Sequence, residues 1–341
     1  MGLEQLKRLH LIMGVHCNVR CVMCYQTSFS RDLAMPAAIY REHLKPLYPA
    51  IKAVKLQGGE PTIMRNCKEF CIMARQYPHI KIAITTNGIN INDFWLQTLV
   101  EQGSYVNVSL NAAHAESYDK IVKHGNFAKA VGNISRLVAA KQDGGLQVAM
   151  SMIVLPANAR EIADFLQLGL DLGVKEINFG YDPVLTFRDL PPARELHPVL
   201  ERAFEIMERE ELCSDGLASF ARRVGYPVAE EGQARPMPRC PLPFNNLVVD
   251  EKGDVRVCCN TWVKVGNTYE QGIERIIEGE PMRKFQALIK RDNYRCCDPG
   301  CTDNAHPHRL ATLYKYAYTA REDPREFATK VKAKLKKMGK V

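Results

Sequence analysis

Between residues 9 and 212 the chain repeats one unit six times: a strand-like run, a turn, and a stretch with helical spacing. The strand-like runs fall at 9–15, 51–56, 81–85, 105–110, 146–155 and 176–180, and helical patterns fill 36–48, 65–77, 92–103 and 127–141 between them. Strict alternation of this kind argues for an α/β fold built on a parallel sheet, because a parallel return needs a crossover. In such sheets the chemistry sits at the C-terminal strand ends. The turns after the strands are therefore where functional residues are expected.

The first strand empties into His16-Cys17-Asn18-Val19-Arg20-Cys21-Val22-Met23-Cys24-Tyr25. Short gaps in an open loop let Cys17, Cys21 and Cys24 converge on one soft metal centre. Three ligands are one too few for zinc or a four-iron cluster, so a remote residue completes the site or one metal stays open. A zinc knuckle or three buried thiols is the plainer alternative. The second strand ends in Gln57-Gly58-Gly59-Glu60-Pro61-Thr62, where paired glycines permit close backbone approach to a ligand and Pro61 stiffens the turn. Later strand ends carry Thr86-Asn87-Gly88, Val108-Ser109-Leu110-Asn111, Asn158 with Glu161, and Tyr181-Asp182-Pro183. Asn158 alone reads as a helix cap. Cys67 and Cys71, four apart on a helix, read as buried thiols rather than a metal pair.

The three-cysteine loop with Tyr25 behind it, and the Gly-Gly-Glu-Pro turn about forty residues later, resemble the radical S-adenosylmethionine (SAM) enzymes. The resemblance implies a partial (β/α)6 TIM-like barrel, with Cys17, Cys21 and Cys24 holding a 4Fe–4S cluster whose open iron is chelated by SAM. It further implies SAM contacts from Tyr25, Gly58, Gly59, Glu60, Pro61, Asn87, Ser109, Asn111, Lys123 and Asn158, with Glu60 near the SAM amino group. Asn111 stands where relatives often carry an acid, and Val122 where many carry an arginine, so Lys123 or Lys120 is the expected substitute there. Tyr181 and Asp182 are candidates to face substrate.

A second cysteine group begins at Cys240. Residues 244–249 and 255–257 read as a hairpin around Asp250-Glu251-Lys252-Gly253, which brings Cys240 and Cys258 together. Arg295-Cys296-Cys297-Asp298-Pro299-Gly300-Cys301 supplies more thiols, and four thiolates suit zinc or an iron–sulfur cluster equally. Cys240, Gly253 and Cys258 resemble the opening of the SPASM and twitch extensions of radical SAM enzymes, which hold auxiliary 4Fe–4S clusters. Six cysteines favour the shorter twitch form, with Cys240, Cys258, Cys297 and Cys301 as ligands, Cys296 an alternative to Cys297, and Cys259 a spare buried thiol. The expected organisation is a barrel over 1–213, a connection over 214–239, the small cysteine-rich C-terminal module over 240–304, and a basic helical tail over 305–341. His306, His308 and Arg309 read as a capped start to that tail.

The 341 residues are 46% hydrophobic, with formal net charge +8, much of it from lysines between 330 and 340 that read as a solvated helix face. No apolar run is long enough to cross a bilayer and the N-terminus lacks a secretory core, so the cytosol is expected, and twelve cysteines there point to metal rather than disulfides. The activity that the resemblance implies is reductive SAM cleavage followed by hydrogen abstraction, for a net oxidation (dehydrogenation) in natural-product or cofactor biosynthesis with the auxiliary cluster as electron acceptor. The partners are a small-molecule or peptide substrate and a flavodoxin- or ferredoxin-type electron donor, with no membrane and no nucleic acid. The alternatives are a peptide-modifying maturase and, from another class, a zinc-stabilised nucleic-acid-binding protein. The chain ends Met338-Gly339-Lys340-Val341 rather than in a double glycine, which ranks a GTP cyclase lower.

Overall fold

A computed structural model describes residues 2–26, 28–141, 145–182, 185–212, 214–228, 240–298, 301 and 310–337. The six expected strands are present as β1 (Arg8–Ile12), β2 (Ala53–Gln57), β3 (Lys81–Thr86), β4 (Gly103–Ser109), β5 (Gln147–Val154) and β6 (Glu176–Tyr181). Each pairs in parallel with the next in chain order. The crossovers carry α1 (Arg65–Ala74), α2 (Asp93–Gln102), α3 (Ala115–Ile121), α4 (Phe127–Ala140) and α5 (Ile162–Asp171), and α6 (Ala193–Arg209) follows β6. The 36–48 stretch is helical but not one α-helix: a π-helical turn over Ile39–His43 gives way to a 3-10 turn over Lys45–Leu47, where Pro46 offers no N–H.

Strand alternation sorts the side chains. Leu9, Leu11, Val54, Leu56, Ile82, Ile84, Val106 and Val108 are buried beneath the helices, each worth roughly 1.5–3 kcal/mol against exposure. On the opposite, inner face Lys55, Gln57, Thr85, Asn107, Ser109, Ser151 and Asn178 are only half-buried. The barrel interior is thus polar and reachable, while the apolar core lies outside it.

Neither sheet edge is left bare. The expected hairpin forms from β7 (Asn246–Val249) and β8 (Asp254–Arg256), and β7 adds in parallel to β1, with Leu9 opposite Leu247. A two-residue β9 (Gly266–Asn267) completes a nine-stranded sheet in the order β9-β8-β7-β1-β2-β3-β4-β5-β6. At the other edge, residues expected as a connection fold against β6: Phe179 N donates to Asp215 O at 2.8 Å and α7 (Leu217–Arg223) buries Leu217 and Phe220. The rest of that connection, 229–239, lies outside the described residues, as do His306, His308 and Arg309. The tail is helical over Ala311–Glu322 and Pro324–Lys337. No helix among the described residues is long and apolar enough to cross a membrane.

Candidate active site

The cysteine loop is gripped from three sides. Gly59 N and Glu60 N donate to Gly14 O and His16 O at 2.9 and 2.8 Å, which zips the Gly-Gly-Glu-Pro turn to the chain entering the loop. The glycines, expected to let a ligand approach, also permit close approach to this loop. A Cβ on Gly58, which sits at φ +145°, would run into the Gly14 carbonyl, and one on Gly59 into the His16 carbonyl. On a second side Arg20 and Cys21 pair antiparallel with Lys123 and Val122. On a third, Asn87 Nδ2 donates to Asn18 Oδ1 at 2.8 Å.

Glu60 is the hub of this arrangement. It is 1% exposed, and its carboxylate accepts from Thr62 N, Thr62 Oγ1, Thr86 Oγ1 and Asn87 N at 3.0, 2.6, 2.7 and 2.7 Å. Burial pushes its pKa up against the pull of those donors. A carboxylate so occupied fastens the turn to the end of β3. Trp95 Nε1, donating to Thr62 O at 2.9 Å, steadies the same turn.

Cys17, Cys21 and Cys24 are all half-buried. Burial, then the neighbouring Cys24 and Cys17 thiols, push Cys21 up to about 12, and Cys17 is raised by burial and, among other groups, by Cys24. Thiols raised in this way, as Cys17 and Cys21 are, fit a centre that supplies positive charge. Among the described residues no three His, Cys, Asp or Glu side chains close on a point that could hold a single ion. A zinc ion needs its ligands at about 2.3 Å, whereas a cluster takes its thiolates from separate corners. Beside the loop opens a cavity of about 1040 Å³ lined by Cys17 together with His16, Arg20, Arg31, Arg65 and His124.

The remaining expected SAM contacts divide. Ser109 faces the interior, its Oγ 3.3 Å from Ser151 Oγ. Asn111 and Asn158 are both buried, and their amides bond within the fold. Asn111 sits at φ +65°, where asparagine is tolerated; its Nδ2 donates to Ser109 O and its Oδ1 accepts from Ile153 N, both at 3.0 Å. An aspartate cannot do both. Asn158 makes no cap bond to its own helix but donates to Asn111 O at 2.7 Å and to Ile153 O at 2.9 Å. Glu161 holds the same loop, accepting from Ala113 N and Ser117 Oγ. Lys123 is exposed and its Nζ donates to Asp119 O at 2.9 Å, and Lys120 pairs with Glu116, so each lysine is tied to a residue of α3. Tyr181 Oη lies 3.2 Å from Ser219 Oγ, while Asp182 is buried and accepts from Tyr25 Oη at 2.7 Å.

At the second group the hairpin and the 296–301 loop are laced together. Asp298 N donates to Asn260 O at 2.8 Å, Thr261 Oγ1 to Cys296 O at 2.7 Å, and Asn260 Nδ2 to Cys301 Sγ at 3.1 Å. Cys297 is pushed up to about 12 by burial and then by Cys240, Cys296 and Cys301, and Cys258 is raised by burial and then by Cys259, Cys297 and Cys240. Cys296 turns elsewhere, lining a separate cavity of about 270 Å³ with Val263, Phe285 and Leu288. Cys259, expected as a buried spare, is exposed, because the chain leaves the hairpin at that point. Cys67 and Cys71 are fully buried, as the helical spacing implied. Sequence reasoning passed over Asn18, Asn260 and the arginines by Cys17; only their position beside cysteines could have marked them.

A family model described as the radical SAM superfamily matches residues 11–169, and one described as an iron–sulfur cluster-binding domain, SPASM, matches residues 240–302. The second match is to the SPASM form rather than the shorter twitch form expected from the cysteine count. A probable GTP 3′,8-cyclase of Saccharolobus islandicus (strain M.14.25 / Kamchatka #1) is 26% identical over 210 residues, 58% of this chain and 65% of that protein. The mycofactocin maturase MftC of Mycobacterium ulcerans (strain Agy99) is 25% identical over 261 residues, 71% of this chain and 65% of that protein. The chain thus spans 65% of the length of these curated relatives. Among solved structures, anSMEcpe with bound AdoMet superposes with TM-score 0.63 at 15% identity, covering 93% of this chain and 98% of that one. Streptococcus suis SuiB bound to precursor peptide SuiA gives TM-score 0.62 at 14% identity, covering 88% and 72%. These likenesses show the fold.

Proposed function

We propose that this chain, which belongs to the radical SAM superfamily and carries a SPASM iron–sulfur cluster-binding domain, is an oxidoreductase that dehydrogenates a substrate held against the polar inner face of its barrel. It is an enzyme that works with a 4Fe–4S cluster, SAM and an auxiliary iron–sulfur cluster, so the zinc-stabilised nucleic-acid-binding reading falls away. Cys17, Cys21 and Cys24 are the residues to hold the first cluster, and Cys240, Cys258, Cys297 and Cys301 the auxiliary one. When bound, the first cluster and SAM supply a 5′-deoxyadenosyl radical that takes a hydrogen atom from substrate.

The chain's own residues do the rest. Glu60 and the glycines it anchors fix the cysteine loop, Tyr25 and Asp182 bridge the barrel mouth, and Ser109 with Gln57 and Asn107 presents polar atoms from the interior. The observation that supports the oxidative reading is that Cys297 lies within electrostatic reach of Cys240 and Cys301, and Cys258 within reach of Cys297 and Cys240. A centre with four thiolates keeps no open position, which leaves electron transfer as its work. Electrons for the first cluster are supplied by a flavodoxin- or ferredoxin-type donor approaching the cavity that Cys17 shares with Arg20 and Arg31.

A second reading, a peptide-modifying maturase, is favoured by the alignment to MftC, which covers 71% of the chain against 58% for the GTP cyclase. Iron and sulfide analysis of anaerobically reconstituted protein, with 5′-deoxyadenosine formation, tests the main reading. About eight irons per chain, falling to about four in a triple Cys17, Cys21 and Cys24 to alanine variant that forms no 5′-deoxyadenosine, supports it. About four falling to none removes the electron acceptor and sinks the oxidative step.

A further inference from the structure

The inner face of the first two barrel strands carries a ring nitrogen, His10 Nε2, and an ammonium, Lys55 Nζ, that no group among the described residues satisfies. His10 and Lys55 are register partners in the β1–β2 ladder, so their side chains leave the same face of the sheet. That face is the interior one, since Leu9, Leu11, Val54 and Leu56 fill the other. His10 is 7% exposed, and its Nε2 has no hydrogen-bond partner among the described residues. Lys55 is half-buried and forms no ion pair among the described residues.

Both omissions are costly unless something else completes the site. A buried ring nitrogen without a partner forfeits its desolvation energy, and an ammonium drawn from water needs a counter-charge. The other cation on this side, Arg256, already has one: its Nη2 lies 2.9 Å from Asp250 Oδ2. Burial lowers the pKa of Lys55, with the Cys259 thiol pulling the other way, and burial followed by the positive charges of Lys55 and Arg256 lowers that of His10 to about 4. The position therefore combines one uncompensated cation with a neutral imidazole, whose ring also has the Gln57 side chain as a hydrogen-bond partner while Nε2 stays open.

We propose that His10 and Lys55 form an anion subsite in the barrel interior, where the Lys55 ammonium and His10 Nε2 together hold a carboxylate or phosphate group of the substrate. The ammonium gives a charge-assisted bond and the imidazole, in its Nε2–H tautomer, a second donor. This rests on the reading that substrate lies against the inner face, and it narrows the class to an acid or a phosphate ester. A substrate whose polar groups there are amines meets a like charge instead.

Isothermal titration of the anaerobically reconstituted full chain with inorganic phosphate, with succinate and with uncharged myo-inositol tests it. Phosphate or succinate should bind at one saturable site, whichever binds identifying the source of the anion, and myo-inositol should not. Lys55→Met should weaken that binding about tenfold or more, the size of a lost charge-assisted bond, and His10→Phe by a smaller factor. Lys55→Arg, which keeps the charge, should restore it and so separates lost contact from lost folding. Wild-type anion affinity in Lys55→Met, or no saturable binding of either anion to wild type, overturns the proposal. Iron and sulfide measured on the same samples report separately on the clusters, so a failure of the enzymatic reading is distinguishable from a failure of the subsite.

Discussion

Tyr25 donates its hydroxyl hydrogen to Asp182 Oδ2 at 2.7 Å, joining the cysteine loop after the first barrel strand to the end of the sixth. The two strands lie far apart in the sheet order, so this bond crosses the barrel mouth. Asp182 is itself held from behind, its Oδ1 accepting from Leu185 N at 2.8 Å and its backbone N donating to Thr186 Oγ1 at 2.9 Å. The residue expected to face substrate thereby steadies the loop proposed to carry the first cluster. Tyr25→Phe removes the bridge and leaves the ring, which is 78% exposed. Global stability should fall by under about 1 kcal/mol, as for a partly solvated hydrogen bond. Hydrogen exchange over residues 20–26 and the rate at which a chelator strips the first cluster should each rise several-fold; unchanged rates would show that the bridge does not restrain the loop.

Gly59 and Glu60 act on the cysteine loop through different atoms, and their variants should fail differently. Gly59→Ala drives a Cβ into the His16 carbonyl, displacing the loop while the second cysteine group stays in place. Iron should fall by about half, to the complement of one cluster. Glu60→Gln puts an NH2 group among four donors and strands at least one of them, costing about 1–3 kcal/mol in chemical denaturation. A Glu60→Gln protein as stable as wild type would mean the carboxylate is not the anchor.

The alternation of strands and helices was legible because apolar period is a local property, and β2 or β3 can be read without knowing their neighbours. What the sequence could not show was contact. Gly58 and Gly59 are needed where they are because of Gly14 and His16, more than forty residues earlier, and nothing local distinguishes a glycine that meets a ligand from one that meets a backbone. The pairing of β7 with β1 was hidden for the same reason, since Leu247 opposite Leu9 is one apolar residue beside another. Asn111 looked like a weakened binding residue. Its left-handed backbone and two opposed amide bonds give it a structural role that the sequence reading missed, and asparagine's tolerance of that conformation was the available clue. Cys259 misled in the other direction, because thiols are usually buried and this one is not.

Arg31 borders the cavity that exposes Cys17, with its Nε 3.2 Å from His16 Nε2. Arg31→Glu should leave dithionite-driven 5′-deoxyadenosine formation intact and slow the reaction driven by reduced flavodoxin several-fold, while flattening its dependence on ionic strength. Equal flavodoxin-driven rates across salt concentrations in both proteins would place the donor elsewhere.

His10 makes stability depend on pH in a defined window. Burial, then the charge of Lys55, lowers its pKa from 6.5 to about 4, so the native protein binds fewer protons here than the unfolded chain. The stabilisation is complete above about 6.5 and drains away as pH falls toward 4, amounting to about 3 kcal/mol at most. His10→Phe lacks this contribution. Denaturant midpoints compared between pH 7 and pH 5, on matched preparations, should fall more steeply for wild type than for the variant. Parallel slopes would show that the ring is not held neutral.

Cys296 and Cys297 are adjacent in sequence, and spacing cannot choose between them as ligands, but their surroundings can. Cys297 lies within electrostatic reach of Cys240 and Cys301, whereas Cys296 lines an apolar cavity with Phe285 and Leu288. Cys297→Ala should therefore lose about four of eight irons, and Cys296→Ala should lose none. The same contrast should appear in function: uncoupled SAM cleavage persists in Cys297→Ala, since the first cluster is untouched, while substrate oxidation stops for want of an electron acceptor. Equal iron loss in the two variants would mean that the 296–301 loop turns over when the cluster assembles, and that the side chain now directed at Phe285 is the ligand.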